Sequence, residues 1–333
     1  MLMCQQGSEL ESRARQAGLN VRAHRYRGEM NPVSLWGLIQ AYREFRPHVV
    51  NVHRAWAHTQ WLVASLITGF RGLVVTRRVL FRPDFNPLSL AKYRSAGVRG
   101  FIAVSQAVSA RLQELGIPER KIRVVHPATD MQFFSPESAQ SLPLPENGAA
   151  ISASEPTILM VANYHRNKGH HVLLEAFARI AETFPQVRLL LVGHGTDTGE
   201  LPQKVAEFTH RERISLLGFR ADVPRLLLNT RVAVNASFEE GFSGFVREAL
   251  AMGVPVVASA IPANREMSGC VPMTLFRSGS ADELARALAQ HLQISPDPAT
   301  AASLRKQALA QFSVPAMVQK TLAAYEAAVR GCA

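Results

Sequence analysis

Residues 232–258 read VAVNASFEEGFSGFVREALAMGVPVVA. The first five residues form an apolar, β-branched run, and the last five form another. Between them lie a turn carrying Gly241 and Gly244 and an amphipathic stretch from about 244 to 252. Two nearly continuous apolar strands joined through a helix describe a parallel crossover unit, buried on both faces of its sheet. A strand, a Gly-containing turn and a helix start also leave backbone N–H groups unpaired at a positive dipole end, which suits a phosphate. Gly241 and Gly244 allow close approach of a ligand to the backbone.

The same alternation extends outward in both directions. Apolar runs near 157–162 and 187–192 alternate with helix-like stretches near 169–184, 221–229 and 280–293. Upstream, runs at 49–53, 73–76, 101–104 and 122–125 alternate with stretches at 33–46, 57–69, 88–97 and 105–115. Alternation of this kind predicts an α/β protein with parallel sheets covered by helices. The stretch 135–156, rich in Ser, Pro, Ala and Glu, has no period and reads as linker. The expected division is a first domain at 1–136, a linker at 137–156 and a second domain at 157–313. A last amphipathic helix within 314–333 is expected to return to the first domain. Ligands of doubly wound sheets bind at the carboxyl ends of strands, so the site is expected in a central cleft faced by the two domains.

Composition excludes several classes. With 333 residues, 47% hydrophobic and 19% charged, the chain can bury real cores, which excludes wholesale disorder. Three cysteines, Cys4, Cys270 and Cys332, are too few for a disulfide framework or a Cys-based zinc site. No Asp-x-Asp metal cluster is visible, so neither a metal nor a cofactor is expected. The longest apolar stretch near the front, 61–70, is about half the roughly 20 residues of a membrane span. These features predict a cytoplasmic protein.

Net charge is +11, and it is unevenly placed. Residues 1–136 hold 19 Lys/Arg against 8 Asp/Glu, whereas residues 137–333 hold 18 of each. A basic first half favours an anionic partner, such as a membrane surface or a phosphorylated acceptor, and fits peripheral contact at the inner membrane face. It fits a solvated basic surface equally well. Nucleic acid is not expected: aromatics are 7% and no nucleic-acid-binding motif is present.

Three short segments carry the chemistry. Glu240 in the turn and Glu248 in the helix can each serve a sugar: one beside developing positive charge, the other accepting hydrogen bonds from vicinal hydroxyls. The residues alone also fit a tight turn whose glutamates favour a helix N-terminus. Arg166 and Lys168, in Asn163-Tyr164-His165-Arg166-Asn167-Lys168-Gly169, can neutralise a diphosphate or form a solvated basic loop. Gly193, in Val192-Gly193-His194-Gly195, permits close approach at a strand end. Gly199 comes one residue too late for a dinucleotide-binding glycine fingerprint.

Taken in order, these pieces resemble the retaining glycosyltransferases of family 4, the glycogen-synthase-like group with the GT-B fold. The family's Glu-x7-Glu pattern is matched by Glu240-Gly241-Phe242-Ser243 through Glu248, followed by Ala249-Leu250-Ala251-Met252-Gly253-Val254-Pro255-Val256-Val257-Ala258. Lys168-Gly169, Val192-Gly193-His194-Gly195 and Leu217-Gly218-Phe219 with Asp222-Val223 match further family segments, as does the run from Ala103-Val104-Ser105 to Phe134-Ser135-Pro136.

The resemblance implies two Rossmann-like doubly wound domains and an enzyme of the hexosyltransferase type (EC 2.4). It would move a sugar from a nucleotide-sugar to a hydroxyl acceptor, in cell-surface glycan or lipopolysaccharide biosynthesis. Glu240 and Lys168 would be catalytic. Glu248, Arg166, Asn163, Gly241, Phe242, Ser243, Gly244 and Gly193 would bind the donor, with the backbone amides of 242–244 on its diphosphate. His53 and Arg78 would lie on the acceptor side. A glycan or lipid-linked acceptor is implied with the nucleotide-sugar.

Three departures from the family stand out. Ala162-Asn163 replaces a Gly-Arg. Arg78 stands where the family has a strand-end His. Met1-Leu2-Met3-Cys4 with Gly7-Ser8-Glu9-Leu10 looks like the family's second strand and helix, so the opening strand, Gly-rich loop and helix are expected to be missing. The alternative expectation is therefore a non-catalytic or truncated nucleotide-sugar-binding homologue.

Overall fold

A computed structural model describes residues 1–25, 31–80, 85–142 and 155–330. Cys332, the end of the expected C-terminal helix at 331–333 and most of the expected linker, 143–154, lie outside the described residues. The chain divides into two compact units. The first comprises Met1–Val104, Val108–Val125 and the stretch from Gln319; the second comprises Ser105–Ala107 and His126–Val318.

The first unit holds two parallel sheets. β1 (Leu2–Gln5) pairs with β2 (Val21–His24), Leu2 opposite Val21. β3 (Val50–Val52), β4 (Leu73–Arg77), β5 (Val98–Ala103) and β6 (Ile122–Val124) form the second sheet in that order. Among the described residues no ladder joins the pair to β3, so their strands leave more open edges than one continuous sheet would. Helices at 32–45 and 55–68 supply Leu38, Ile39, Ala41, Trp61 and Ala64 to its core. The first starts where Asn31 accepts hydrogen bonds from the N–H groups of Val33 (3.0 Å) and Ser34 (3.1 Å), with Pro32 fixing φ at the first helical position. The last helix, Val314–Arg330, docks through Tyr325: Asn51 Nδ2 donates to its hydroxyl at 2.7 Å, and Asn51 Oδ1 accepts from Thr76 Oγ1 at 2.8 Å.

The second unit is one six-stranded parallel sheet. Its strands are β7 (Thr157–Val161), β8 (Arg188–Val192), β9 (Ile214–Leu216), β10 (Thr230–Asn235), β11 (Val256–Ser259) and β12 (Thr274–Phe276), in the spatial order β12-β11-β10-β7-β8-β9. Ile158, Met160, Leu189, Leu191, Val234 and Val257 are fully buried with Leu173 and Phe177 of helix 170–180 and Leu284 and Leu288 of helix 281–293. The chain runs outward from β7 to β9, then returns to β10 on the other side of β7. β7 and β10 therefore bound the topological switch point, and the loops after them flank the crevice where such sheets bind ligands.

The unit boundary differs from the expected one at 136. Residues 126–136 pack in the second unit: Thr129 N–H donates to Phe312 O at 2.9 Å, and the His126 ring stacks on Phe242 at 4.5 Å. The start of the expected linker is helical at Pro136–Ser141. Ser135 caps it, accepting from Ser138 N–H, and the Arg225 guanidinium holds the Leu142 carbonyl. A serine cap and a proline at the first helical position outweigh the loop-like composition.

Candidate active site

Glycines bring the loops of the switch point together. Gly169 has φ 72°, and a Cβ there would lie 2.1 Å from the Ala236 carbonyl oxygen after β10. Gly193, φ 139°, would place a Cβ 2.3 Å from Ala162 O. Backbones this close exclude any side chain, so both positions require glycine. Hydrogen bonds then tie the loops into one rim. Phe238 N–H donates to Asn167 O at 2.8 Å, and Tyr164 N–H donates to His194 O at 2.8 Å. Asn163 Oδ1 accepts from His194 N–H at 3.1 Å, so Asn163 braces the rim.

Lys168 and Glu240 meet across that rim. Lys168 Nζ stands 2.7 Å from Glu240 Oε1, and Ser237 Oγ donates to the same oxygen at 2.8 Å. The lysine side chain is 30% exposed and the glutamate 13%, so the pair is partly dehydrated but reachable. Arg166 lies two residues before Lys168, in the same 3₁₀ turn 166–168. Among the described residues no carboxylate pairs with it. Its positive charge is available to an anion.

The turn after β10 is fixed from below. Ser243 Oγ caps the helix Gly244–Ala251, accepting from Val246 N–H, and receives Asn235 Nδ2 at 3.3 Å. Asn264 Nδ2 donates to Asn235 Oδ1 at 3.0 Å and to Ser259 O at 2.9 Å, all fully buried. Ser259 Oγ donates to the Ser237 carbonyl. The Phe242 side chain points inward, stacked on His126 and edge-on to Phe312 at 5.7 Å. Phe242 thus anchors the turn by its ring, and only its backbone can serve a ligand. Gly241 completes the turn and Gly244 opens the helix.

Glu248 lies one helical turn further on. A Cβ on Gly244 would stand 3.6 Å from Glu248 Oε1, so the carboxylate lies over the start of the helix. Burial raises its pKa above the ordinary carboxylate value, and the adjacent Arg247 cation offsets part of the rise. No hydrogen bond reaches this carboxylate among the described residues. A dehydrated carboxylate without a donor is costly, and hydroxyls of a bound ligand can satisfy it. Arg247 itself points away, donating to Thr129 Oγ1 at 2.8 Å.

The ten candidates of the second unit thus gather at one switch point. His53 and Arg78 belong to the first unit, just past the ends of the adjacent strands β3 and β4. Partial desolvation and, secondarily, the Arg78 cation hold the His53 imidazole below its ordinary pKa.

Sequence reasoning passed over Ser237, Asn235, Ser259 and Asn264, which position the turn. Asn235 alone left a signal, as a polar residue ending an otherwise apolar strand. It also missed the exposed stack of His194 on Phe219, rings 4.7 Å apart at 11°, beside Gly193.

Residues 155–293 match the family model described as glycosyl transferases group 1, and residues 2–133 match glycosyltransferase family 4. Each half of the chain thus matches a glycosyltransferase family model, and the two matches together span most of its length. Among the curated relatives the chain matches is the putative colanic acid biosynthesis glycosyltransferase WcaL of Escherichia coli (strain K12). It is 27% identical over 249 residues, covering 70% of this chain and 56% of WcaL. The 2-deoxystreptamine glucosyltransferase of Streptomyces kanamyceticus is 29% identical over 209 residues, covering 62% and 53% of the two chains. The chain spans about half the length of these relatives. Anabaena HepE, solved in complex with UDP and glucose, superposes with a TM-score of 0.80 at 21% identity, over 96% of this chain and 90% of HepE. That likeness shows the fold, which is GT-B with two Rossmann-like units.

Proposed function

We propose that this chain transfers a sugar from a nucleotide-sugar to a hydroxyl acceptor with retention at the anomeric carbon. The carrying observation is the switch-point arrangement: the Lys168–Glu240 pair at 2.7 Å beside a capped helix start, with the unpartnered Glu248 one turn beyond. Glu248 accepts hydrogen bonds from the ribose hydroxyls. Lys168, Arg166 and the amides of 242–244 balance the diphosphate, so this reading calls for no metal ion. As the bond from the anomeric carbon to the diphosphate breaks, the acceptor oxygen bonds to the same face, and its proton passes to the leaving diphosphate. Charge developing on the phosphate oxygens meets cations and dipoles already in place, and the sugar's positive charge lies beside Glu240.

His53 and Arg78 lie on the acceptor side in this reading. The basic first unit supports a lipid-linked or phosphorylated acceptor of cell-surface glycan or lipopolysaccharide assembly, met at the cytoplasmic face of an anionic membrane. No helix among the described residues is long and apolar enough to cross a membrane. The complexes of HepE with UDP and UDP-glucose support a uridine nucleotide as the first donor to test.

Calorimetric titration of UDP into the chain and into Glu248→Ala tests the donor site. About tenfold or greater weakening is expected, corresponding to ~1.4 kcal/mol or more; unchanged affinity refutes the assignment. The anomeric configuration of the product, read by proton NMR, tests retention. One observation favours a second reading, a non-catalytic nucleotide-sugar-binding homologue: among the described residues the strands of the first unit form two separate sheets. Donor binding without transfer to any hydroxyl acceptor would select that non-catalytic reading.

A further inference from the structure

A cavity of about 50 Å³ opens in the first unit between its four-stranded sheet and the C-terminal helix. It is distinct from the place of His53 and Arg78, which follow the carboxyl ends of β3 and β4 and do not line it: its sheet wall is formed within the strands, by Val74 of β4, Arg99 to Ile102 of β5 and Arg123 of β6. Arg99, Arg120, Lys121 and Arg123 line it, and among the described residues no carboxylate does. Small side chains of the helix, Ala324 and Ala328 among them, form the opposite wall and keep it open.

Among the described residues the four cations have no counter-charge. None pairs with a carboxylate among the described residues, although Arg13, Arg22 and Arg111 of the same unit all do. Their hydrogen bonds go to neutral carbonyls. Arg99 Nε donates to Arg71 O at 3.0 Å, Lys121 Nζ to Val98 O at 3.1 Å, and Arg123 Nη1 to Ile122 O at 3.2 Å. Glu119 shares the turn with Arg120 and Lys121 but does not line the cavity. Burial, and then the Arg99 and Arg120 cations, lower the pKa of the Lys121 amine, the response of a crowded positive site.

Like charges gathered around one cavity repel, and an anion placed among them removes that repulsion. One water needs about 10–15 Å³ of such space, so the cavity is large enough for a group of several heavy atoms. Three guanidinium forks and one ammonium suit an anion with several oxygens pointing in different directions, which is the geometry of a phosphoryl group. We propose that the cavity lined by Arg99, Arg120, Lys121 and Arg123 binds a phosphoryl group, carried either by free phosphate or by the headgroup of an anionic lipid. The site is independent of the nucleotide-sugar reading.

The reactivity of Lys121 tests it locally. The full chain is acetylated with an activated ester, and modification of Lys121 is followed by peptide mass spectrometry with Lys306 as internal control. Inorganic phosphate at twice its dissociation constant is expected to slow acetylation of Lys121 about threefold relative to chloride at equal ionic strength, and to leave Lys306 unchanged. The double variant R120Q/R123Q, altered at two exposed positions, is expected to lose that protection while keeping its circular dichroism melting curve. A second arm replaces phosphate by phosphatidylcholine vesicles with or without phosphatidylglycerol. Protection by the phosphatidylglycerol vesicles assigns the lipid headgroup as source; protection by phosphate alone assigns the soluble anion. Absence of protection by either phosphate or vesicles, or protection that persists in R120Q/R123Q, overturns the proposal.

Discussion

Lys168 and Glu240 are 72 positions apart in sequence, yet their charged atoms meet at 2.7 Å because each ends a loop at the switch point. Each shields the other's charge until a ligand arrives, and Ser237 holds Glu240 in place. Replacing Lys168 by Ala is expected to leave the fold intact, since its side chain is only half-buried at the rim, and to reduce turnover by about a hundredfold or more if it stabilises the leaving diphosphate. Steady-state assays with the cognate donor check this, and full activity would remove Lys168 from the phosphate site. Gly169→Ala acts differently. A Cβ there would stand 2.1 Å from a backbone oxygen at φ 72°, so the loop must move. Urea denaturation should show a loss of more than about 1 kcal/mol, accompanied by weaker UDP binding; wild-type stability would mean that the rim is not packed as described. The residues assigned to the ligand in this proposal were legible in the sequence because glycine, charge and spacing mark them. Asn264 was not: it reaches Asn235 and Ser259 only through the fold, and nothing in its neighbours distinguishes it.

At the scale of elements, the apolar run around a strand decided what could be read: β3 and β6, three residues each, lie in the runs seen at 49–53 and 122–125. β7, β8, β10 and β11 run for four to six residues of nearly unbroken apolar sequence and were visible as strands. β9 and β12 have three residues each, too few for any period, and take their conformation from neighbours in the sheet. The stretch expected as helix at 88–97 stops at Arg94, and the next strand already begins at Val98. The linker expected from 137 opens as a helix for a similar reason: composition marks loops, but capping residues such as Ser135 decide where helices start. The helix at 244–251 carries the element most open to test. Ser243 both caps it and receives Asn235, so Ser243→Ala removes one hydrogen bond and leaves the buried Asn235 amide short of another. A loss of about 1–2 kcal/mol is expected by chemical denaturation, at the upper end for an N-cap. A change within a few tenths would show that the helix start is held by packing alone.

For the molecule as a whole, two buried imidazoles predict how stability responds to acid. His58 is fully buried beside Tyr93, its ring nitrogens unpartnered, and its pKa is pushed down to about 3, first by burial and then by the nearby Lys92 and Arg77 cations. His170, in the second unit, is pushed down to about 4, chiefly by burial. In an unfolded chain both titrate near the ordinary value of about 6.5. Between that value and the folded one, the unfolded chain binds a proton that the folded chain refuses. The slope of stability with pH is therefore positive, and stability falls as pH drops from about 6.5 toward 3–4. Paired carboxylates contribute at lower pH: Asp222, hydrogen-bonded by Arg220, is held below its ordinary value, so its contribution is lost only as pH falls through that depressed value. A midpoint of urea unfolding already lower at pH 5 than at pH 7.5 is thus assigned to the histidines. Two units with separate cores can unfold in separate transitions. His58→Phe keeps the ring contact with Tyr93 and removes the proton, so it should flatten the pH dependence of the first unit's transition and leave the second unit's unchanged; His170→Phe should do the converse. If neither substitution alters the slope between pH 5 and 7.5, the acid sensitivity has another source and the two imidazoles are not the groups that refuse the proton.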